Sequence, residues 1–294
     1  MFNKILFATS TEKACDHAAR VAFNIGRLYN AHIDIFHVVD PLTDPQAQGT
    51  NGAGTGEQVA EKIRQKIESR YAEQLPKAKS HAVKVVSGAL DREMLAEIQA
   101  GRPGLLVLGE SFSGQPDREA STREKEKAVQ RIARESACPV LFVNRAAASF
   151  WGSISNVVFA TDFSNASEAA FAFACELTRH IQCELHIFHV QTLSLTPESE
   201  VFNQDDIEHR IREKLRFFRK KYVSRMQGID RYAIEVWEGD PYVEIVKYAR
   251  EKYADLIIMA KDSRNPRSET EALGSNTRQV ILRAGCPVLC INRA

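Results

Sequence analysis

The chain has 294 residues, with 39 basic and 38 acidic side chains and a formal net charge of +1. At roughly 100–200 residues per domain, that length calls for about two domains. The charge balance excludes functions driven by bulk attraction, such as non-specific nucleic-acid binding or adsorption to anionic membranes.

Hydrophobic residues at 44% and charged residues at 26% describe a globular chain, not a disordered one. No apolar run approaches the roughly 20 residues of a membrane helix. Met1–Phe7 leads straight into a strand-like pattern, without the basic, apolar and small-residue succession of a signal peptide. Six cysteines in so long a chain are not a disulfide framework. Free thiols in a reducing cytoplasm are the expectation.

The elements come twice. Lys4–Thr9 is a β-branched and aromatic run, hence a strand. Ala18, Val21, Ala22, Ile25, Leu28 and Tyr29 then recur at helical spacing. A second strand spans Ile33–Val39, a long amphipathic helix Glu57–Leu75, and a third strand Ala82–Val86 before Gly88. Leu105–Leu108 is a continuous apolar run, the mark of a strand buried on both faces. Another helix and the short strand Val140–Val143 follow, with Pro139 at the strand's first position, where a missing N–H is tolerated.

The same order then restarts. Phe7-Ala8-Thr9 returns as Phe159-Ala160-Thr161, and Ile35-Phe36-His37-Val38 as Ile187-Phe188-His189-Val190. Cys138-Pro139-Val140-Leu141 returns as Cys286-Pro287-Val288-Leu289. The helical stripe reappears as Ala170, Phe173, Ala174, Leu177 and Ile181. Strands are expected at Leu185–Val190, Ala233–Trp237, Leu256–Met259 and Val288–Ile291, with a long helix over Asp205–Met226. A period near 150 means that a whole fold has been duplicated.

The fold class is α/β: two tandem Rossmann-like domains, 1–147 and 151–294, each a five-stranded parallel sheet with helices on both faces. The ligand crevice belongs at the carboxyl ends of the first and fourth strands of each copy, where strand order reverses. In the second copy Thr161-Asp162-Phe163-Ser164 and Met259-Ala260-Lys261-Asp262-Ser263 fall there. Gly274-Ser275-Asn276-Thr277 opens the last helix. Free backbone N–H groups, hydroxyls and the positive end of a helix dipole make a phosphate site, with a plain N-cap as the competing reading.

On these residues the chain resembles the universal stress protein family, and its tandem members in particular. The resemblance runs through both copies and is strongest at Ile154–Ser164, Asp255–Ala260 and Gly274–Asn292. It implies the adenine-nucleotide-binding type of Rossmann-like fold, with ATP or AMP as ligand of the second domain. ATP-binding members carry a Gly-x2-Gly-x9-Gly-Ser/Thr loop. Here Ala260 and Ser263 replace the first two glycines, and Gly274-Ser275 follows after ten residues instead of nine. Carried over by position, Asp162, Val190, Met259, Ala260, Ser263, Gly274, Ser275 and Asn276 form the site.

In the first copy Ser10 replaces the aspartate. Gly109 remains, but Glu126-Lys127 stand where the second copy has Gly274-Ser275. Ser121 and Glu124 read as a capping box that starts the helix early. The first copy is therefore expected to have lost the nucleotide. The resemblance further implies a stress-linked, non-catalytic binding or regulatory protein in the cytoplasm. Its copies would pair as an intramolecular pseudo-dimer through their last strands, with a further homodimer left open. A nucleotide-independent interaction module and a weak nucleotide hydrolase using Asp162 or Asp262 are the alternatives.

Other motifs carry less. Gly52–Gly56 does not follow a strand directly and reads as a flexible loop between the second strand and the second helix. Residues four apart on a strand are separated by about 13 Å, so Cys286 and Cys290 cannot share a metal. Cys15, Asp16 and His17 are consecutive on a helix and point apart. His37 and His189 read as hydrogen-bonded structural histidines. The basic stretch from Arg210 to Arg225 reads as a solvated face, with Phe217, Phe218 and Tyr222 turned to the sheet. No nucleic-acid, membrane or metal partner and no catalytic residue are expected.

Overall fold

A computed structural model describes residues 1–10, 13–39, 56–109, 120–144, 154–192, 204–261 and 273–292. The chain divides into two compact units, with the boundary between Gly152 and Ser153. The first contains β1 (Lys4–Ala8), α1 (Asp16–Tyr29), β2 (His32–Val39), α2 (Gly56–Arg70), β3 (Ser80–Ser87), α3 (Leu90–Gly101), β4 (Leu105–Leu108), α4 (Ala120–Glu135) and β5 (Val140–Phe142). The second repeats that order as β6 (Asn156–Ala160), α5 (Asn165–Ile181), β7 (Glu184–Gln191), α6 (Gln204–Lys221), β8 (Tyr232–Glu238), α7 (Pro241–Glu251), β9 (Leu256–Ala260), α8 (Ser275–Arg283) and β10 (Val288–Ile291). No helix among the described residues is long and apolar enough to cross a membrane.

The strands of the first unit lie in the order β3-β2-β1-β4-β5, and those of the second in the order β8-β7-β6-β9-β10. All the pairings are parallel, with Ile5 beside both Ile33 and Leu105, and Phe159 beside both Ile187 and Ile258. Every residue of β4 and β9 is buried, as their unbroken apolar runs require. Pro139 and Pro287 stand just before the last strands, and each carbonyl accepts from the fourth strand, at Leu106 N and Ile257 N, both at 3.0 Å.

The first helices of the two units end alike. Asn30 and Gln182 adopt left-handed backbone, φ 51° and 54°, which turns the chain directly into the second strand. Their apolar stripes bury Ala18, Val21, Ala22 and Ile25, and Ala170, Ala174 and Leu177. Leu28 departs from the expected stripe: it is 52% exposed, because it lies on the last turn and past the sheet's edge of contact. The long second helices stop short of their expected ends, at Arg70 and Lys221. Each chain then continues through a 3-10 turn, Leu75–Lys77 or Val223–Arg225.

One aromatic pin recurs. Tyr71 and Tyr222 are fully buried and share hydrogen bonds with the hydroxyls of Thr9 (2.7 Å) and Thr161 (2.9 Å). Burial pushes both phenols up to about 12, so they remain neutral. Tyr222 also meets Phe159 edge-on and packs against Phe171 at 4.3 Å between ring centroids. Phe218 beside it is buried, as expected. Phe217 is not turned to the sheet; it is 46% exposed, because adjacent helix positions diverge by about 100° and only one of the pair can face inward.

At the opposite end of the first sheet, buried Asp34 accepts from Lys4 (2.7 Å) and from His32 Nε2 (3.0 Å). Burial pushes this carboxyl up, but the hydrogen bonds from Lys4 and His32 outweigh it and hold it below the ordinary carboxylate range.

Two outcomes follow. Replacing Tyr71 or Tyr222 by Phe should each cost about 1 kcal/mol. The two losses should add within about 0.5 kcal/mol, because the residues lie in different units. Urea denaturation of the single and double variants checks this, and unchanged midpoints would refute the pin. A carboxyl whose folded pKa is depressed stabilises the fold above its unfolded value near about pH 4, and that stability disappears as pH falls through the folded value. Asp34→Asn should therefore flatten the acid limb of stability against pH; an acid limb as steep as before would exclude this role.

Candidate functional site

In the second unit the chain leaves β6 through Thr161, all of whose polar groups are engaged. Its N–H donates to Phe188 O at 2.9 Å, its carbonyl accepts from His189 Nδ1 at 2.8 Å, and its hydroxyl meets Tyr222. Burial pushes the His189 ring below its ordinary range, so it stays neutral and serves as a structural donor. His37 does the same for Thr9 O at 2.8 Å.

Two residues on, Phe163 takes left-handed backbone at φ 64°, a conformation an aromatic residue seldom adopts. Such a residue costs about 1–3 kcal/mol and persists only where its surroundings fix it. Here its N–H donates to Thr161 Oγ1 (3.0 Å) and its carbonyl accepts from Lys221 (2.9 Å). Its ring packs on His189, Phe217 and Phe218 at 4.5–5.0 Å between centroids. Lys214 lies over the same ring at 5.5 Å.

This turn presents Asp162 to solvent. Its Oδ1 accepts from Ser164 N (3.0 Å) and Ser167 Oγ (2.7 Å), while Ser164 caps α5 by accepting from Ser167 N (3.2 Å). The carboxylate is thus oriented at the positive end of α5.

At the end of β9, Met259 and Ala260 are buried. Lys261, also buried at 4% exposure, pins both ends of the following connection. Its N–H donates to Ile291 O (3.0 Å), and its carbonyl accepts from Gly274 N (3.2 Å). Thr277 Oγ1 donates to Ala260 O at 3.2 Å. Gly274 is the N-cap of α8, at φ −53° and with no side-chain capping bond. Ser275 is exposed and Asn276 half-buried.

Because Phe159 lies beside Ile258, β6 and β9 end level. Asp162, Met259, Ala260, Gly274, Ser275 and Asn276 therefore gather at the carboxyl ends of two adjacent strands. Val190 is buried on the next strand, beside Trp237. Ser263 and Asp262 lie outside the described residues, as does the 52–55 part of the glycine-rich stretch. Sequence reasoning passed over Phe163, Lys221 and Lys261. A lysine directly after an apolar strand was the one available signal.

The first unit closes the same place. Ser10 N donates to Cys15 Sγ at 3.3 Å, and its hydroxyl lies 3.2 Å from that sulfur. A Cβ on Gly109 would sit 3.2 Å from Cys15 Sγ and 3.3 Å from Ala18 Cβ. That glycine serves packing: the chain entering α1 lies on the end of β4. Helix α4 does begin early, at Ala120, so Glu126 and Lys127 are interior positions with no free helix start. Ser121 is already inside that helix and not at its cap, which corrects the capping-box expectation.

Burial pushes the Cys286 and Cys290 thiols up to about 12 and Cys175 to about 11, which leaves them protonated and inert. Among the described residues no group of three His, Cys, Asp or Glu side chains is placed to hold a metal.

Parallel five-stranded sheets with a crevice where strand order reverses define a tandem Rossmann-like α/β protein. The model of the universal stress protein family matches residues 1–144 and again 153–292, and the chain belongs to that family. A universal stress protein of Methanocaldococcus jannaschii is 30% identical over 147 residues, which cover 47% of this chain and 81% of that protein. The crystal structure of a universal stress protein from Archaeoglobus fulgidus DSM 4304 matches with a TM-score of 0.66 at 18% identity, over 99% of this chain and 97% of its own. A protein of unknown function from Pseudomonas aeruginosa PAO1 matches at 0.64 and 16% identity, over 99% and 92%. These two share the fold.

Gly109→Ala should destabilise the first unit by about 1–3 kcal/mol through overpacking against Cys15 and Ala18. Combining it with Cys15→Ala should recover part of the loss. Thermal unfolding of the three variants reads this out, and a Gly109→Ala protein as stable as the parent would show that the contact yields freely.

Proposed function

We propose that this universal stress protein is a stress-linked, non-catalytic binding and regulatory protein whose second domain receives an adenine nucleotide, ATP or AMP. Family membership supports the stress-linked part. The nucleotide reading rests on one contrast between the copies. Helix α8 opens at Gly274-Ser275 beside the end of β9, with no side chain capping it. The equivalent place in the first unit is helix interior.

The residues present fit such a ligand. The first-turn N–H groups of α8 and the Ser275 hydroxyl would hold a phosphate. Val190 and Met259 supply apolar walls, and oriented Asp162 would accept from a ligand N–H or O–H. The Cβ of Ala260 narrows the path that a glycine would open and lowers the affinity expected. In this reading the protein works in the cytoplasm, and its copies pair as a pseudo-dimer through their last strands. Neither nucleic acid nor membrane is a partner.

Calorimetric titration with ATP, AMP and a pyrimidine nucleotide tests the reading. Saturable binding of an adenine nucleotide, lost in Gly274→Glu and tightened in Ala260→Gly, is the expected result. Turnover of ATP would replace the regulator by an enzyme. No binding at millimolar nucleotide would leave an interaction module.

A further inference from the structure

The first unit holds a cavity of about 110 Å³ between α1 and the turn that follows α2. At about 30 Å³ per water, that is room for a few waters or for one phosphate group. Arg20, Arg27 and Lys77 line it, with the amides of Asn24 and Gln74 and the buried ring of Phe23. Among the described residues none of the three cations makes an ion pair. Arg27 has only a long contact to Asn24 Oδ1 at 3.4 Å. Gln74 Oε1 is buried without a hydrogen-bond partner.

The duplication supplies an internal comparison. Arg179 occupies the place of Arg27 in the second unit, and there it donates to Gln227 O (2.8 Å) and Arg225 O (3.3 Å). Glu176 stands in place of Asn24 and Ala172 in place of Arg20. Arg225, in place of Gln74, is paired with Glu168. The second unit thus satisfies and neutralises this region from within. The first unit has kept the arginine, added two cations and lined the remainder with neutral amides.

We infer that this cavity is an anion site for a protonated tetrahedral oxyanion, inorganic hydrogen phosphate or the singly protonated phosphate of a phosphomonoester. Guanidinium forks match phosphate oxygens in pairs, and an ammonium adds a point charge. The hydroxyl of a monoprotonated phosphate supplies the donor that Gln74 Oε1 lacks, whereas sulfate has no proton to give. Buried Phe23 lies beneath, and the three cations stand exposed around it. The site is separate from the crevice of the second domain and does not rest on nucleotide binding there.

The test is titration of the isotope-labelled full chain with inorganic phosphate in phosphate-free buffer at fixed ionic strength, followed by amide shifts. Saturable shifts at Phe23, Asn24, Gln74 and Ala78 are expected, with sulfate binding more weakly there. Arg20→Ala and Lys77→Ala should each weaken binding about tenfold, the equivalent of one charge-assisted hydrogen bond. Arg179→Ala and Gly274→Glu should leave it unchanged. A parallel titration with glycerol phosphate separates the sources: tighter binding identifies an organic phosphomonoester, equal or weaker binding identifies free phosphate. A response that never saturates, survives the Arg20→Ala Lys77→Ala double variant, or disappears in Gly274→Glu would overturn the assignment.

Discussion

The carbonyl that ends the first strand of each copy is claimed by a histidine of the second strand, and the hydroxyl of the same threonine by a tyrosine from beyond the second helix. Much of the rest depends on this knot. It ties three elements at the carboxyl end of the sheet, where strand order reverses and a ligand would lie. It also fixes the point from which the chain departs toward the first helix. In the second copy burial pushes His189 below its ordinary range and the Tyr222 phenol up, so there the knot imposes no charge on the crevice. The two copies share it residue for residue and then diverge at the next position, Ser10 against Asp162.

At the other end of the sheets the copies place different polar groups at matching positions. In the first, Asp34 is the buried acid, held by Lys4 and His32, and Lys84 meets Glu97 at 2.6 Å. In the second, His186 stands where Asp34 does, Glu184 where His32 does, and Glu235 where Lys84 does. Tyr248 and Lys252 then complete Glu235, at 3.1 and 2.9 Å. Burial keeps the Asp34 carboxylate only with its cationic partners, and it pushes the His186 ring toward the neutral form. The pattern of positions has been kept while its chemistry has drifted, which is why the repeat shows most clearly in the strands and least in their polar ends.

That difference governs what could be read from the sequence. Strands such as Leu105–Leu108 and Leu256–Met259 were legible because burial on both faces leaves no alternative to an apolar run. The structural histidines were legible because both copies carry them at one register. Leu28 and Phe217 misled because helical periodicity places a residue on a face but does not say where that face runs out of partners. Phe163 was invisible for a different reason. Its left-handed turn is imposed by bonds to Thr161 and Lys221, and Lys221 lies 58 residues away. The cavity beside Arg27 was hidden likewise, since it depends on a helix and a distant turn brought together and on side chains that fail to fill the space.

Glycine illustrates the limit most sharply. The first copy retains Gly109 at the position where nucleotide-binding relatives begin their loop, and the second has lost it to Ala260. Counting glycines does not rank the copies, since each keeps one of the three: Gly109 in the first and Gly274 in the second. A Cβ on Gly109 would press on Cys15 Sγ at 3.2 Å and Ala18 Cβ at 3.3 Å, so the residue records a close approach of backbone and helix. In the second copy the turn at Phe163 packs onto the aromatic cluster, and Gly274 still starts a helix at the end of β9. A glycine is evidence of a site only when what it makes room for is not already part of the protein. By that measure neither glycine alone marks a site; what distinguishes the second copy is a helix that starts at Gly274 beside the end of β9.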